Sequence, residues 1–261
     1  MNPKKLYHFT TTEKAIQYIL PFCKLKMNSL GKMNDPKENL LHIINSHNYS
    51  DEQLKRGEIS EIIDALMMSN ETKIISFSTD KKRGDDIVNG YNLQRMWAQY
   101  AANHTGICIV IDYEKFIAEN SKVIEKYQIK DGCVEYNNDF CVPPSFSPLI
   151  GMKSGSKKPD SFSRHDEWKK HQSNTHFLKE QFFTKNKDWE GESEYRFLTF
   201  IEDESEEIYL SFKNSLDKII RGLNFSKYYM PSLESLIEKS KIETLVFDRW
   251  HGDFELHSET K

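Results

Sequence analysis

Apolar residues recur along this 261-residue chain in short runs broken by polar stretches, and the period of each run predicts its element. Residues 5–9 read as a first strand. Thr10-Thr11-Thr12-Glu13 then supplies capping chemistry for a helix through Ala15, Ile16, Ile19 and Leu20, which Pro21 ends. A second strand is predicted over 25–28. Asn34-Asp35-Pro36, with proline at a first helical position, opens helical pattern through Leu40, Leu41, Ile43 and Ile44. Residues 51–69 form a further helix with Ile59, Ile62, Ile63 and Leu66 on one face.

Residues 73–78 are a strand, followed by a polar loop containing Gly84 and Gly90 and a helix over 91–102. Gly106 precedes the most apolar run, 107–111, which does not alternate and so predicts a strand covered on both faces. More strands are expected near 130–136, 194–201, 206–211 and 243–248, with helices at 165–183 and 228–239. Strands and helices mix without a regular β-α-β order, which predicts an α+β fold. One domain over 1–261 is expected, carrying a loop-plus-helix insertion at 142–187.

Composition narrows the class. Lys plus Arg number 36 and Asp plus Glu 40, a net charge of −4 that excludes a globally basic nucleic-acid coat. Only 38% of residues are hydrophobic, but 16 Phe, 12 Tyr and 4 Trp bury large areas apiece. No run reaches the roughly eighteen apolar residues of a membrane helix, and the N-terminus lacks a signal-peptide apolar core. Cys23, Cys108, Cys133 and Cys141 are scattered, the pattern of reduced thiols in a cytoplasmic protein, with Cys108 a small buried hydrophobe. The charge is uneven: 153–187 carry nine basic residues against four acids, and 188–207 nine acids against one arginine.

Three segments carry candidate chemistry. In Trp189-Glu190-Gly191-Glu192-Ser193-Glu194-Tyr195-Arg196, alternation on a strand would put Glu192, Glu194 and Arg196 on one face. Paired carboxylates flanked by an arginine suit a developing oxocarbenium ion, and the same letters also describe an exposed, cross-paired strand face. His8, with Thr10 beside it on the first strand, suits a ribose hydroxyl or nicotinamide amide, or is an ordinary strand histidine next to cap threonines. Trp97 and Tyr100 share a helix face that either stacks on a flat ring or packs the core, while Met96 and Ala101 suit the core. His165, His171 and His176 lack metal-ligand spacing, so no metal is expected. The aromatic-interleaved basic stretch 153–187 reads as an amphipathic helix, with single-stranded nucleic acid as the other reading.

Taken in order, Leu6-Tyr7-His8-Phe9-Thr10, Asn34-Asp35-Pro36, Ile75-Ser76-Phe77-Ser78, Met96-Trp97-x-x-Tyr100 with Gly106, Val134-Glu135-Tyr136 and Trp189-x-x-Glu192-x-Glu194-Tyr195-Arg196 resemble a widespread bacterial and phage-borne domain family of unknown function. The resemblance covers about residues 5–247. That family is in turn distantly similar to the ADP-ribosyltransferases, which implies a split, twisted mixed sheet with flanking helices and NAD as substrate. His8 would then orient NAD with Thr10 beside it, and Glu194 would bond the ribose 2′-hydroxyl and stabilise the oxocarbenium. Glu192 would activate an acceptor. Ser78, Trp97, Tyr100 and Arg196 complete the implied nucleotide-binding set, Ser78 and Tyr100 competing for its middle position. Phe9 departs from the glycine many such enzymes place after the histidine. The resemblance implies ADP-ribosyl transfer to an unknown protein or nucleic-acid acceptor, or NAD hydrolysis, in phage–host or toxin-type conflict. A non-catalytic nucleotide- or partner-binding module of the same fold is the alternative.

Overall fold

A computed structural model describes residues 2–33, 70–84, 86–137, 178–179, 182–201, 203–237, 243–250 and 253–258, the last two segments as backbone. The helices expected within 36–69, the loop of 142–164, most of the helix at 165–183, its three histidines and Cys141 lie outside the described residues. The fold is α+β: a nine-stranded, largely antiparallel sheet with few helices.

The sheet is built around β7 (Ile107–Asp112), flanked by β1 (Lys5–Thr10) on one side and β13 (Leu216–Arg221) on the other. Its apolar run serves two cores at once. Ile107, Ile109 and Ile111 join the larger core, while Cys108 and Val110 join a second one with Tyr7, Phe9 and Trp97. A strand buried on both faces has no polar face to show, hence the unbroken run. Gly106 is required before it, since a Cβ there would lie 2.2 Å from the Thr10 carbonyl oxygen. Beyond β13 the sheet continues through β14 (Glu243–Trp250), its one parallel pairing, and ends at β15 (Asp253–Ser258).

On the other side of β1 comes β4 (Thr72–Ser78), then β11 (Glu194–Phe200) and β8 (Lys130–Cys133). β1 and β7 pair over six residues, but β1 and β4 share a single register pair, Tyr7 with Ser78. Further back along β4 that edge pairs instead with β3 (Asn28–Ser29), which follows β2 (Lys24–Lys26). The two sheet halves therefore touch at one point and diverge, leaving a gap between them.

Several elements differ from expectation. The helix predicted over 91–102 is a 3₁₀ turn at Gly90–Asn92 followed by α2 (Gln94–Gln99). Beyond it Ala102, Asn103 and His104 all have positive φ, which no helix accommodates. The first helix is one α-turn, α1 (Thr12–Lys14), running into a π-turn at Ala15–Ile19. The strand expected near 130–136 is two: β8, and β9 (Glu135–Asn137), which pairs in parallel with β10 (Thr184–Asn186) in a separate ribbon. The polar loop holds a hairpin, β5 (Lys81–Arg83) with β6 (Asp86–Val88), turning through Gly84 at φ 65°.

No element is predicted over 113–127, yet this is the longest described helix, α3 (Tyr113–Tyr127). Asp112 caps its start and Gln128, in the left-handed region, ends it. Tyr113 and Phe116 are inserted into the larger core, and Ile117, Val123, Ile124 and Tyr127 pack against it at helical spacing. Near 206–211 the strand is β12 (Tyr209–Ser211), paired with β2, and the last described helix is α4 (Met230–Ile237). Cys108 is fully buried, and Cys23, Cys108 and Cys133 are free thiols. No described helix is long and apolar enough to cross a membrane.

Candidate functional site

The gap between the sheet halves is a cleft of about 530 Å³. Its lining takes consecutive residues of β4 from Ile74 to Ser78, so it reads the bare edge of that strand rather than one face. His8 and Thr10 reach it from β1, Tyr100 from the residue that ends α2, and Glu192 and Glu194 from the far side of β4. Six of the eight residues singled out in the sequence thus line one cavity. Glu194 stands 186 positions from His8 in the chain and comes to it through two register contacts: Glu194 pairs with Ser78, and Ser78 with Tyr7.

The carboxylates are buried, not spread on an exposed strand face: Glu192 is 2% and Glu194 5% exposed. Glu192 is not on the strand at all. It ends a 3₁₀ helix, Lys187–Glu192, and Ser193 at φ 46° turns the chain into β11. What joins the two acids is Lys185 on β10, whose Nζ lies 3.0 Å from Glu192 Oε2 and 2.8 Å from Glu194 Oε2. Tyr100 donates its hydroxyl to Glu192 Oε1 at 2.7 Å. The backbone N–H of Glu194 donates to the Tyr136 hydroxyl at 2.9 Å.

Arg196 grips Glu194 from behind, Nε to Oε1 at 2.7 Å and Nη2 to Oε2 at 3.0 Å, and its Nη1 donates to the Phe182 carbonyl at 2.6 Å. Burial alone would raise the Glu194 pKa. The guanidinium of Arg196 and the ammonium of Lys185 outweigh it and hold the carboxyl down at about 2. Glu194 is therefore an anion near neutral pH.

His8 is the opposite case. Burial in the cleft floor lowers it to about 4, against a hydrogen bond with the Ser76 backbone that favours the cation, and Lys14 adds to the lowering. Its ring lies edge-on to Phe77, 5.8 Å between centroids. His8 is thus a neutral imidazole near pH 7.

The remaining two candidates do not line the cleft. Trp97 is fully buried, donating Nε1–H to the Tyr91 carbonyl at 2.6 Å and packing edge-on against Phe9. Of the two aromatics on that helix, then, Tyr100 faces the cleft and Trp97 the core. Arg196 is 1% exposed and sits behind Glu194. Lys185 is the site residue that sequence reasoning passed over. It lies in a polar stretch of net positive charge, and only its pairing next to Tyr136 of β9 carries it to the acids.

Two hydroxyls in the wall, Ser76 Oγ and Ser78 Oγ, are buried and have no hydrogen-bond partner among the described residues. Buried hydroxyls are seldom left that way, since each costs on the order of 1–3 kcal/mol. Among the described residues no group of three or more His, Cys, Asp or Glu is placed to hold a metal. Chemically, the cavity offers one fixed anion, a second carboxylate bonded to a phenol, a neutral imidazole and two unfilled hydroxyls.

Residues 96–197 match the model of a family described as "Protein of unknown function (DUF2971)". The matched segment runs from α2 to β11 and so includes Tyr100, Lys185, Glu192 and Glu194, while His8 and Thr10 lie outside it. No curated protein and no solved structure matches the chain.

Proposed function

We propose that the cleft binds NAD and cleaves its nicotinamide–ribose bond, transferring ADP-ribose to an acceptor or to water. One observation carries this reading: His8 and Glu194, from opposite ends of the chain, line a single cavity where β1 and β4 part. In the step proposed, the C1′–N1 bond breaks and neutral nicotinamide leaves with the bonding pair. The ribose oxocarbenium that remains faces the Glu194 carboxylate, whose charge is fixed in advance and needs no reorganisation. A nucleophile then bonds to C1′ and gives its proton to Glu192. Neutral His8 and the Ser78 hydroxyl supply hydrogen bonds to ribose or amide without adding positive charge beside the developing cation.

The protein would be incubated with NAD, with and without cell extract, and free nicotinamide measured. Wild type should release it, and Glu194→Gln should lower the rate by about 100-fold or more with the far-UV circular dichroism of the wild type. Equal rates in folded wild type and variant would remove Glu194 from the chemistry.

The second reading, a nucleotide-binding module without turnover, is favoured by the partners of Glu194 itself. A bidentate arginine and a lysine offset most of the charge that an oxocarbenium would use. That reading requires NAD to bind in calorimetry while no nicotinamide appears with any extract.

A further inference from the structure

The cleft has two chemically distinct ends. The acids and Lys185 stand at the level of Ser78, while Lys26 and Lys32 flank β3, whose Asn28 is level with Ile74, and Lys14 follows β1 within electrostatic reach of His8. Four residues of β4 separate the two levels, about 13 Å at the rise of an extended strand. Among the described lining residues the charged ones are four lysines and two glutamates, and Arg196 adds a further cation behind Glu194. A chain of net charge −4 therefore presents a cavity of the opposite sign.

No carboxylate lines the lysine end among the described residues. Lys26 is paired, but with exposed Glu207 outside the lining. Lys73 beneath this end reports the crowding: burial lowers its pKa, Lys32 and Lys26 lower it further, and Glu204 and Asp203 oppose them. The ring of Tyr18 also lines the cleft and is 65% exposed. Positive charge next to an open ring is the pattern that holds a phosphate chain and stacks the base attached to it.

We infer that Lys14, Lys26, Lys32 and Tyr18 form a subsite for the phosphates and base of a nucleoside diphosphate, at the end of the cleft away from Glu194. The assignment of the opposite end to the reacting ribose rests on the NAD reading above; the subsite itself does not. A 13 Å separation lets one extended dinucleotide span both ends.

Calorimetric titration of the full chain with ADP and with adenosine tests it. ADP should bind wild type and adenosine at least tenfold more weakly, with the ADP affinity falling as salt rises, because exposed lysines are screened. Lys14→Glu combined with Lys32→Glu should weaken ADP by about tenfold or more, and both sites are exposed, so the fold should hold. Glu207→Gln should strengthen ADP by about two- to fivefold, since Lys26 is released from its partner. A structural role for Lys26 alone would not produce that gain.

Adenosine binding as tightly as ADP, failure of ADP to bind, or indifference to the lysine reversals would each overturn the subsite. Nicotinamide release is scored separately. Release without competition by ADP removes the subsite and leaves the NAD reading standing, and ADP binding without release under any acceptor does the reverse.

Discussion

Strand β11 carries a polar network on each face, buried on one and ending at the surface on the other. On one face Glu194 and Arg196 join Lys185, Glu192 and Tyr100 in a chain of charges open to the cleft. On the other, Tyr195 donates to Asp131 Oδ2 at 2.5 Å, and Tyr113 donates to the same oxygen at 2.9 Å. In this second network two phenols of the larger core, beside Phe197 and Phe116, reach out to a carboxylate that is itself exposed, and none of its members lines the cleft. An acid left at the surface satisfies buried phenols cheaply, whereas burying four charged side chains costs several kcal/mol for each ion before pairing returns any of it. A fold needing only stability has the cheaper solution available on the same strand. The costlier one stands where a ligand can reach it, which is the physical ground for placing function on that face.

Removing a charge from the cleft network should have the largest effect. Arg196→Met should destabilise the protein by about 3–5 kcal/mol, because Glu194 is left buried with one partner fewer. Urea unfolding measures it, and a loss under about 1 kcal/mol would show the network to be solvated.

Acid should separate the faces next. Glu194 has a folded pKa of about 2, below its ordinary 4.5, so it contributes stability above 4.5 that is lost as pH falls toward 2. His8, lowered from 6.5 to about 4, is neutral in both states above 6.5. Between 6.5 and 4 the unfolded chain takes up the proton and the fold does not, so stability falls there too. The urea midpoint should therefore be flat with respect to these groups above pH 6.5 and decline in two overlapping stages below it. His8→Gln should erase the upper stage alone; an unchanged decline between 6.5 and 4 would place the histidine in water.

Tyr195→Phe should cost about 1 kcal/mol by taking one donor from Asp131, which is exposed and can turn to water instead, with nicotinamide release unchanged while the protein stays folded. A folded variant with lost activity would erase the functional difference between the faces. Tyr100→Phe should act on stability to a similar extent. The loss should be about 1 kcal/mol, since buried Glu192 loses one donor and Lys185 keeps its other oxygen, while nicotinamide release slows severalfold through Glu192. An unchanged rate would leave Tyr100 as cleft wall only.

Much of the architecture was legible from local pattern. The unbroken run 107–111 announced a strand covered on both sides, because burial of both faces leaves no polar alternation in the letters. α3 was missed although Phe116, Ile117, Val123, Ile124 and Tyr127 recur at helical spacing, a legible signal among its charged residues. Glu192 was misplaced onto the strand because alternation looks the same whether or not Ser193 turns left-handed between the acids. In the site, His8, Thr10, Tyr100, Glu192 and Glu194 were named from residue type and neighbours and Ser78 from the family resemblance, and all six line the cleft. Lys185 offered no such signal: its letters, Thr-Lys-Asn, match any polar turn.

By itself, then, the sequence determined which segments bury a face and which residue types could do acid–base or stacking chemistry, since both depend on neighbours a few positions away. Tertiary structure decided which of them meet. A single register contact between β1 and β4 opens the cleft, a pairing of β9 with β10 delivers Lys185 to the two acids, and α2 sends Trp97 inward and Tyr100 to the cleft. Those outcomes hang on strand register across distances of up to 186 residues, and register is set by the joint packing of all the faces rather than by any stretch of chain alone.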